Sequence, residues 1–151
     1  MPLNDSDVLI LMPILKKIPL FSGLDENIHR DIIERIVLMY YPASYDLFKE
    51  GDAGDALYLI KNGSVEIFHA PKNEDEEPKI VATINDGGFF GEMALVTDEP
   101  RNASAKTLID SEIFILSKED FKRLLESNQT LAEQISVTVV KRTDENLNNK
   151  K

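Results

Sequence analysis

The sequence predicts a mainly β chain of the α+β class, with helices at both ends of a strand-rich middle. Three observations point there. Short apolar runs rich in Val, Ile, Tyr and Phe recur over residues 45–115. Turn-forming pairs built on Gly, Asn and Asp separate them, and the flanking segments carry apolar residues at helical spacing. Evenly spaced short strands suggest a sandwich or barrel. The chain has 151 residues and no long Gly/Ser-rich or Pro-rich linker, so one domain is expected over its whole length.

Taken in order, the elements follow from local pattern. Val8–Leu15 is the most apolar stretch near the N-terminus; it is far shorter than the roughly 20 residues of a membrane span, and Pro13 interrupts it. No membrane insertion is expected. Asn4, Asp5 and Asp7 stand where an export signal would carry basic residues, making the cytoplasm the default location. After Asp25, a plausible N-cap, Ile28, Ile32, Ile33, Ile36 and Val37 fall on one helical face with charged residues between them, predicting an amphipathic helix. His29 is assigned to its polar side.

Strands are expected at Leu57–Ile60, Val65–Phe68, Ile80–Ile84 and Ile113–Leu116, with turns at Gly51-Asp52, Gly54-Asp55, Asn62-Gly63 and Asp86-Gly87-Gly88. The charged stretch Lys72–Lys79 reads as a solvated hairpin tip. Ser117 precedes Lys118, Glu119 and Asp120, with Phe121, Leu124 and Leu125 behind: an N-cap, an acidic first turn and an apolar face. For Thr130–Leu147 a helix is favoured because Leu131, Ile135, Val139 and Arg142 repeat at helical spacing. The β-branched run Val137–Val140 is a poor helix former and leaves that helix in need of outside contacts.

Composition removes several functions. With Lys+Arg 17 against Asp+Glu 27, the net charge of -10 disfavours a surface that tracks a polyanion, so no DNA binding by this chain alone is expected. Cys is absent and His numbers 2, which leaves no disulfide framework, no cysteine nucleophile and no cluster of metal ligands in the sequence; no metal is expected. Neither a Walker-type phosphate loop nor Gly-x-Ser-x-Gly occurs, and catalysis is not expected.

The informative segment is Phe89–Ala105. Gly91 lets backbone approach a ligand closely, and Glu92-Met93-Ala94-Leu95 is helix-forming sequence whose first amides would make an anion site. Arg101, nine positions past Glu92 and behind the turn at Pro100, can bring its planar donor fork to the same anion. A carboxylate beside a phosphate would repel it, unless Glu92 faces a hydroxyl. A ligand with a monoanionic phosphodiester and a sugar hydroxyl satisfies both residues, and a cyclic nucleotide carries both groups. The residues alone leave this reading level with a surface ion pair between Glu92 and Arg101.

The segment resembles the phosphate-binding cassette of the cyclic nucleotide-binding domain family, of the catabolite activator and protein kinase A regulatory type: Phe-Gly-Glu-hydrophobic-Ala-Leu, a spacer, then Pro-Arg-x-Ala. The likeness extends upstream through Phe48–Ile67 and Ile18–Leu24, and so covers nearly the whole chain. It implies an antiparallel β-roll, or jelly-roll, over 41–117, with the cassette at 89–105, N-terminal helices over 1–40 and a C-terminal lid helix within 118–151.

Position by position, the resemblance implies that Glu92 accepts from the ribose 2′-hydroxyl and Arg101 pairs with the cyclic phosphate. The amides of Gly91, Ala94 and Asn102 would line the pocket, and Met93 and Ala103 belong to the same ligand-binding segment. Val81 matches an apolar base-facing position, with barrel core as the other reading. Arg142 and Asn146, four apart, match lid positions that contact the base, with two solvated polar side chains as the other reading. The implied ligand is cyclic AMP, or else cyclic GMP; Asn102 does not decide between them. Output would pass through an effector protein not named by the sequence, and Val137 with Val140 would offer a surface to a second copy. Two alternatives stand beside this sensor. One is a docking or dimerisation module that has lost the ligand; the other is the sensor part of a truncated transcription regulator, because residues 146–151 leave no room for a recognition helix.

Overall fold

A computed structural model describes residues 3–138. Helix α1 spans Asp5–Lys17 and α2 spans Glu26–Ile33. Eight strands follow: β1 Val37–Tyr41, β2 Asp46–Phe48, β3 Ala56–Asn62, β4 Ser64–His69, β5 Lys79–Asn85, β6 Phe89–Phe90, β7 Ser104–Thr107 and β8 Ser111–Ser117. A 3₁₀ turn, Glu92–Leu95, lies between β6 and β7. Helix α3 is Lys118–Ser127, and residues 129–138 are helical (α4).

The strands form two antiparallel sheets of four, ordered β1-β8-β3-β6 and β2-β7-β4-β5. Alternation along β3 and β8 explains how one sheet serves two cores. Tyr58, Ile60 and Ile113 point into a cluster with Val65 and Ala105 of the other sheet. Their neighbours Leu57, Leu59, Phe114 and Leu116 face the opposite way, into a larger cluster with α1, α2, α3 and α4, including Leu11, Ile32, Phe121, Leu131 and Ile135. Burial on both faces is why residues 57–60 read as an unbroken apolar run. The mainly β architecture flanked by helices is as expected.

Local chemistry sets the helix starts. Asn4 and Asp7 form a capping box on α1, Asp25 accepts from the Ile28 amide at 3.0 Å and Ser117 accepts from the Asp120 amide at 3.1 Å. Pro13 sits inside α1 without ending it. Among the described residues no helix is long and apolar enough to cross a membrane.

Two expectations are corrected. The helix after Asp25 ends at Ile33 rather than continuing through Val37; a turn through Ile36 leads into β1, where Leu38 is buried and Val37 exposed. His29 is not a surface residue. It is 1% exposed and its Nε2 lies 2.8 Å from the Phe21 carbonyl oxygen, on the helix face shared by Ile28, Ile32 and Ile33. The stretch 72–79 is exposed and joins β4 to β5, and α3 starts at Lys118, both as expected.

Candidate functional site

Two segments cross between the sheets, and they cross side by side. Residues 49–55 lead from β2 of one sheet to β3 of the other; residues 91–103 lead back from β6 to β7. Their backbones clasp each other. The Gly51 amide donates to the Arg101 carbonyl at 2.8 Å, and the Arg101 amide donates to the Asp52 carbonyl at 2.7 Å. Ala53 and Pro100 form an isolated antiparallel bridge, and the Glu50 amide donates to Ser104 Oγ at 3.0 Å. Two loops that satisfy each other's polar backbone need no further secondary structure to hold their shape.

Between them lies a cavity of about 150 Å³ lined by Gly54, Gly91, Met93, Ala94, Thr97, Glu99, Pro100, Arg101 and Asn102. Five of the expected site residues, Gly91, Met93, Ala94, Arg101 and Asn102, therefore meet at one place. Glu92 follows Gly91 as the first residue of the 3₁₀ turn and is half-buried; Ala103 is buried behind Asn102. Gly91 adopts φ +83°, a conformation that an L side chain resists. The expected α-helical N-terminus at 91–94 is a single 3₁₀ turn, closed by the Ala94 amide on the Gly91 carbonyl at 3.2 Å.

Arg101 is the cation of this cavity, which the exposed Glu99 also lines, and it is only 8% exposed. A surface ion pair is thus not its setting. Nη2 donates to the Ala56 carbonyl at 2.8 Å and lies 3.7 Å from Asp55 Oδ1, while Nε is buried without a hydrogen-bond partner. One guanidinium face lies over the Phe48 ring, 4.1 Å from its centroid, with Tyr58 at 5.8 Å. Burial lowers the guanidinium's pKa from its ordinary value, against the opposing pull of Tyr58, Asp55 and Asp52. Burial and the negative charge of Asp55 push the Tyr58 hydroxyl up to about 12, with Arg101 pulling the other way.

The segment 91–103 is also tied to α3. Lys118 Nζ donates to the Thr97 carbonyl and pairs with Asp98 Oδ1 at 2.6 Å, and the Lys118 amide donates to the Asp55 carbonyl at 2.8 Å. Lys118 holds the Asp98 carboxyl below its ordinary range.

Val81 is 55% exposed on β5, which excludes the core reading, and it is not among the residues lining this cavity. Arg142 and Asn146 lie outside the described residues, as does Val140; Val137 is exposed on α4. Sequence reasoning gave no site role to Phe48, Gly54, Asp55 or Lys118. At Gly54 a Cβ would stand 3.0 Å from Ala94 Cβ, a close approach that only the fold creates. Among the described residues, no three His, Asp or Glu side chains group as metal ligands.

The model of the "Cyclic nucleotide-binding domain" family matches residues 38–128, a span that takes in both sheets and the whole cavity. The chain belongs to the cyclic nucleotide-binding domain family. This domain is 38% identical over 111 residues to a cAMP-dependent protein kinase regulatory subunit of Aspergillus niger, covering 74% of the chain and 26% of that protein. It thus spans about a quarter of the length of such relatives. The regulatory domain of Toxoplasma gondii PKA, solved with cAMP, aligns with a TM-score of 0.71 at 27% identity over 80% of this chain and 45% of that one. The N-terminal domain of a transcriptional regulator from Streptomyces coelicolor shares the fold, with a TM-score of 0.80 at 23% identity over 91% of this chain and 95% of that one.

Proposed function

We propose that the cavity holds the cyclic phosphate and ribose of a cyclic nucleotide and that the chain acts as a regulatory sensor. The observation that carries this is the setting of Arg101. A permanently charged guanidinium is sunk beside a glycine-lined cavity with one carboxylate oxygen at 3.7 Å and one backbone carbonyl as its polar neighbours. A single buried cation of this kind suits a singly charged phosphodiester. Glu92 takes the ribose 2′-hydroxyl, and the amides of Gly91 and Asn102 serve the phosphate, with Ala94, whose amide closes the turn on the Gly91 carbonyl, lining the same cavity.

Cyclic AMP is the favoured ligand, with cyclic GMP second; the names of the Aspergillus and Toxoplasma relatives support that order. The chain catalyses nothing itself, works in the cytoplasm without binding DNA, and passes its signal to an effector protein or a second copy when ligand repositions the C-terminal helix, with Arg142 and Asn146 meeting the purine. Displacement of a fluorescent cyclic nucleotide tests the preference: cyclic AMP should compete at lower concentration than cyclic GMP, and the reverse order overturns it.

A further inference from the structure

We infer that Phe48 is a positioning residue for the anion-binding arginine, an inference that rests on the functional reading just given. Phe48 ends β2, on the sheet opposite β3, and its ring underlies the Arg101 guanidinium at 4.1 Å. The ring is itself held. Phe48 packs against Tyr58 at 5.8 Å and Phe90 at 6.1 Å between centroids, and Tyr58 stacks on Phe90 at 5.0 Å with 9° between planes. Tyr58 and Phe90 are direct register partners across β3 and β6. The platform under the arginine is therefore built by strands of both sheets.

The arrangement answers a physical problem that the buried arginine creates. Its guanidinium is largely removed from water, it makes one hydrogen bond to Ala56 and its Nε has none. Asp55 lies 3.7 Å away, with a side chain 79% exposed to solvent that weakens its hold. An aromatic face is the remaining large electrostatic contact. Its quadrupole stabilises the cation without occupying a hydrogen-bond donor, so the donors stay available to a phosphate. Contact with one face also fixes the plane of the fork. Gly91 in turn leaves no side chain where a Cβ would meet Nη1 at 2.7 Å.

The test uses the full chain, cyclic AMP as probe, and the variants Phe48→Leu and Phe48→Tyr. Phe48→Leu should weaken cyclic AMP binding about tenfold, and Phe48→Tyr, which keeps the ring, should restore most of it. Nuclear magnetic resonance supplies a readout that does not depend on nucleotide or on a variant that folds. The Arg101 guanidinium resonances of the ligand-free wild type should be ring-current shifted, and Phe48→Tyr should retain that shift while Phe48→Leu loses it. Equal affinity for wild type and Phe48→Leu, or unshifted Arg101 resonances in the wild type, overturns the inference and leaves the sensor reading standing. A wild type that binds no cyclic nucleotide overturns that reading, and the inference with it.

Discussion

Gly91 and Arg101 share one space: a Cβ on Gly91 would stand 2.7 Å from Arg101 Nη1 and 3.1 Å from the Ala56 carbonyl oxygen that Arg101 Nη2 bonds. Gly91 also holds φ +83°. Gly91→Ala therefore strains the backbone and pushes the guanidinium off its carbonyl in one step. We expect at least a tenfold loss of cyclic AMP affinity, together with a destabilisation of about 1 kcal/mol or more from the left-handed backbone alone. Titration and chemical denaturation read the two effects separately.

Arg101→Ala removes the cation from the cavity and leaves a bound phosphate without its partner. The expected cost is roughly 2 kcal/mol of binding, about thirtyfold. Calorimetric titration with cyclic AMP measures it; near-wild-type affinity would take Arg101 out of the site.

How much of this was legible in sequence depends on how local each feature is. The caps at Asp25 and Ser117 and the turn glycines Gly51, Gly63 and Gly87 are short-range chemistry, and they read correctly; Gly54, expected in a turn, is in none and lines the cavity. Gly91, Met93, Ala94, Arg101 and Asn102 meet at one cavity because one continuous segment supplies them. Phe48, Asp55 and Lys118 reach the same place through sheet pairing and loop crossing, which no local pattern encodes. Val37 read as helix because β1 is an edge strand with Leu38 as its one buried residue, leaving little alternation to see. His29 read as exposed because its polarity was weighed above its position. Residues 28, 29, 32 and 33 share a face, and the Phe21 carbonyl waits there for a donor.

Lys118 joins the segment 91–103 to α3 through Thr97 and Asp98. In Lys118→Met the Asp98 carboxyl should titrate closer to its ordinary value of 3.8, having lost the ammonium that lowers it. Carbon-detected titration of the Asp98 carboxyl reads this directly. An unchanged value would show that the contact is not populated in solution.

Asp7 gives the fold an acid-sensitive tie between α1 and β3. Burial by itself would raise its pKa, but the bonds from Lys61 Nζ at 2.8 Å and from the Asn4 amide at 3.1 Å outweigh burial and hold it below 3.8. A carboxyl depressed in the folded state contributes stability that is fully present above the unfolded value and is lost as pH falls through the folded one. Asp7→Asn should therefore be less stable than wild type by about 2 kcal/mol near neutral pH. The gap should shrink below about pH 4 as the wild type protonates. Denaturant unfolding across pH checks the sign; a gap that widens in acid would contradict it.

The proposed lid response has its own readout. The β-branched run 137–140 gives this end of the chain weak intrinsic helicity, so bound nucleotide should slow amide exchange over 135–147. Exchange that is unchanged at saturating cyclic AMP would remove the lid from the mechanism.

The central claim is that the cavity under Arg101 recognises a cyclic phosphodiester, and calorimetric titration of nucleotide-stripped protein tests it most directly. Cyclic AMP and cyclic GMP are compared with 5′-AMP, which has the same base and sugar as cyclic AMP but lacks the cyclic phosphodiester and carries a second phosphate charge. Saturable binding of a cyclic form with 5′-AMP much weaker is the predicted result. Absence of binding by both cyclic forms at high micromolar concentration, or equal binding of 5′-AMP, would contradict the account and favour a docking or dimerisation module.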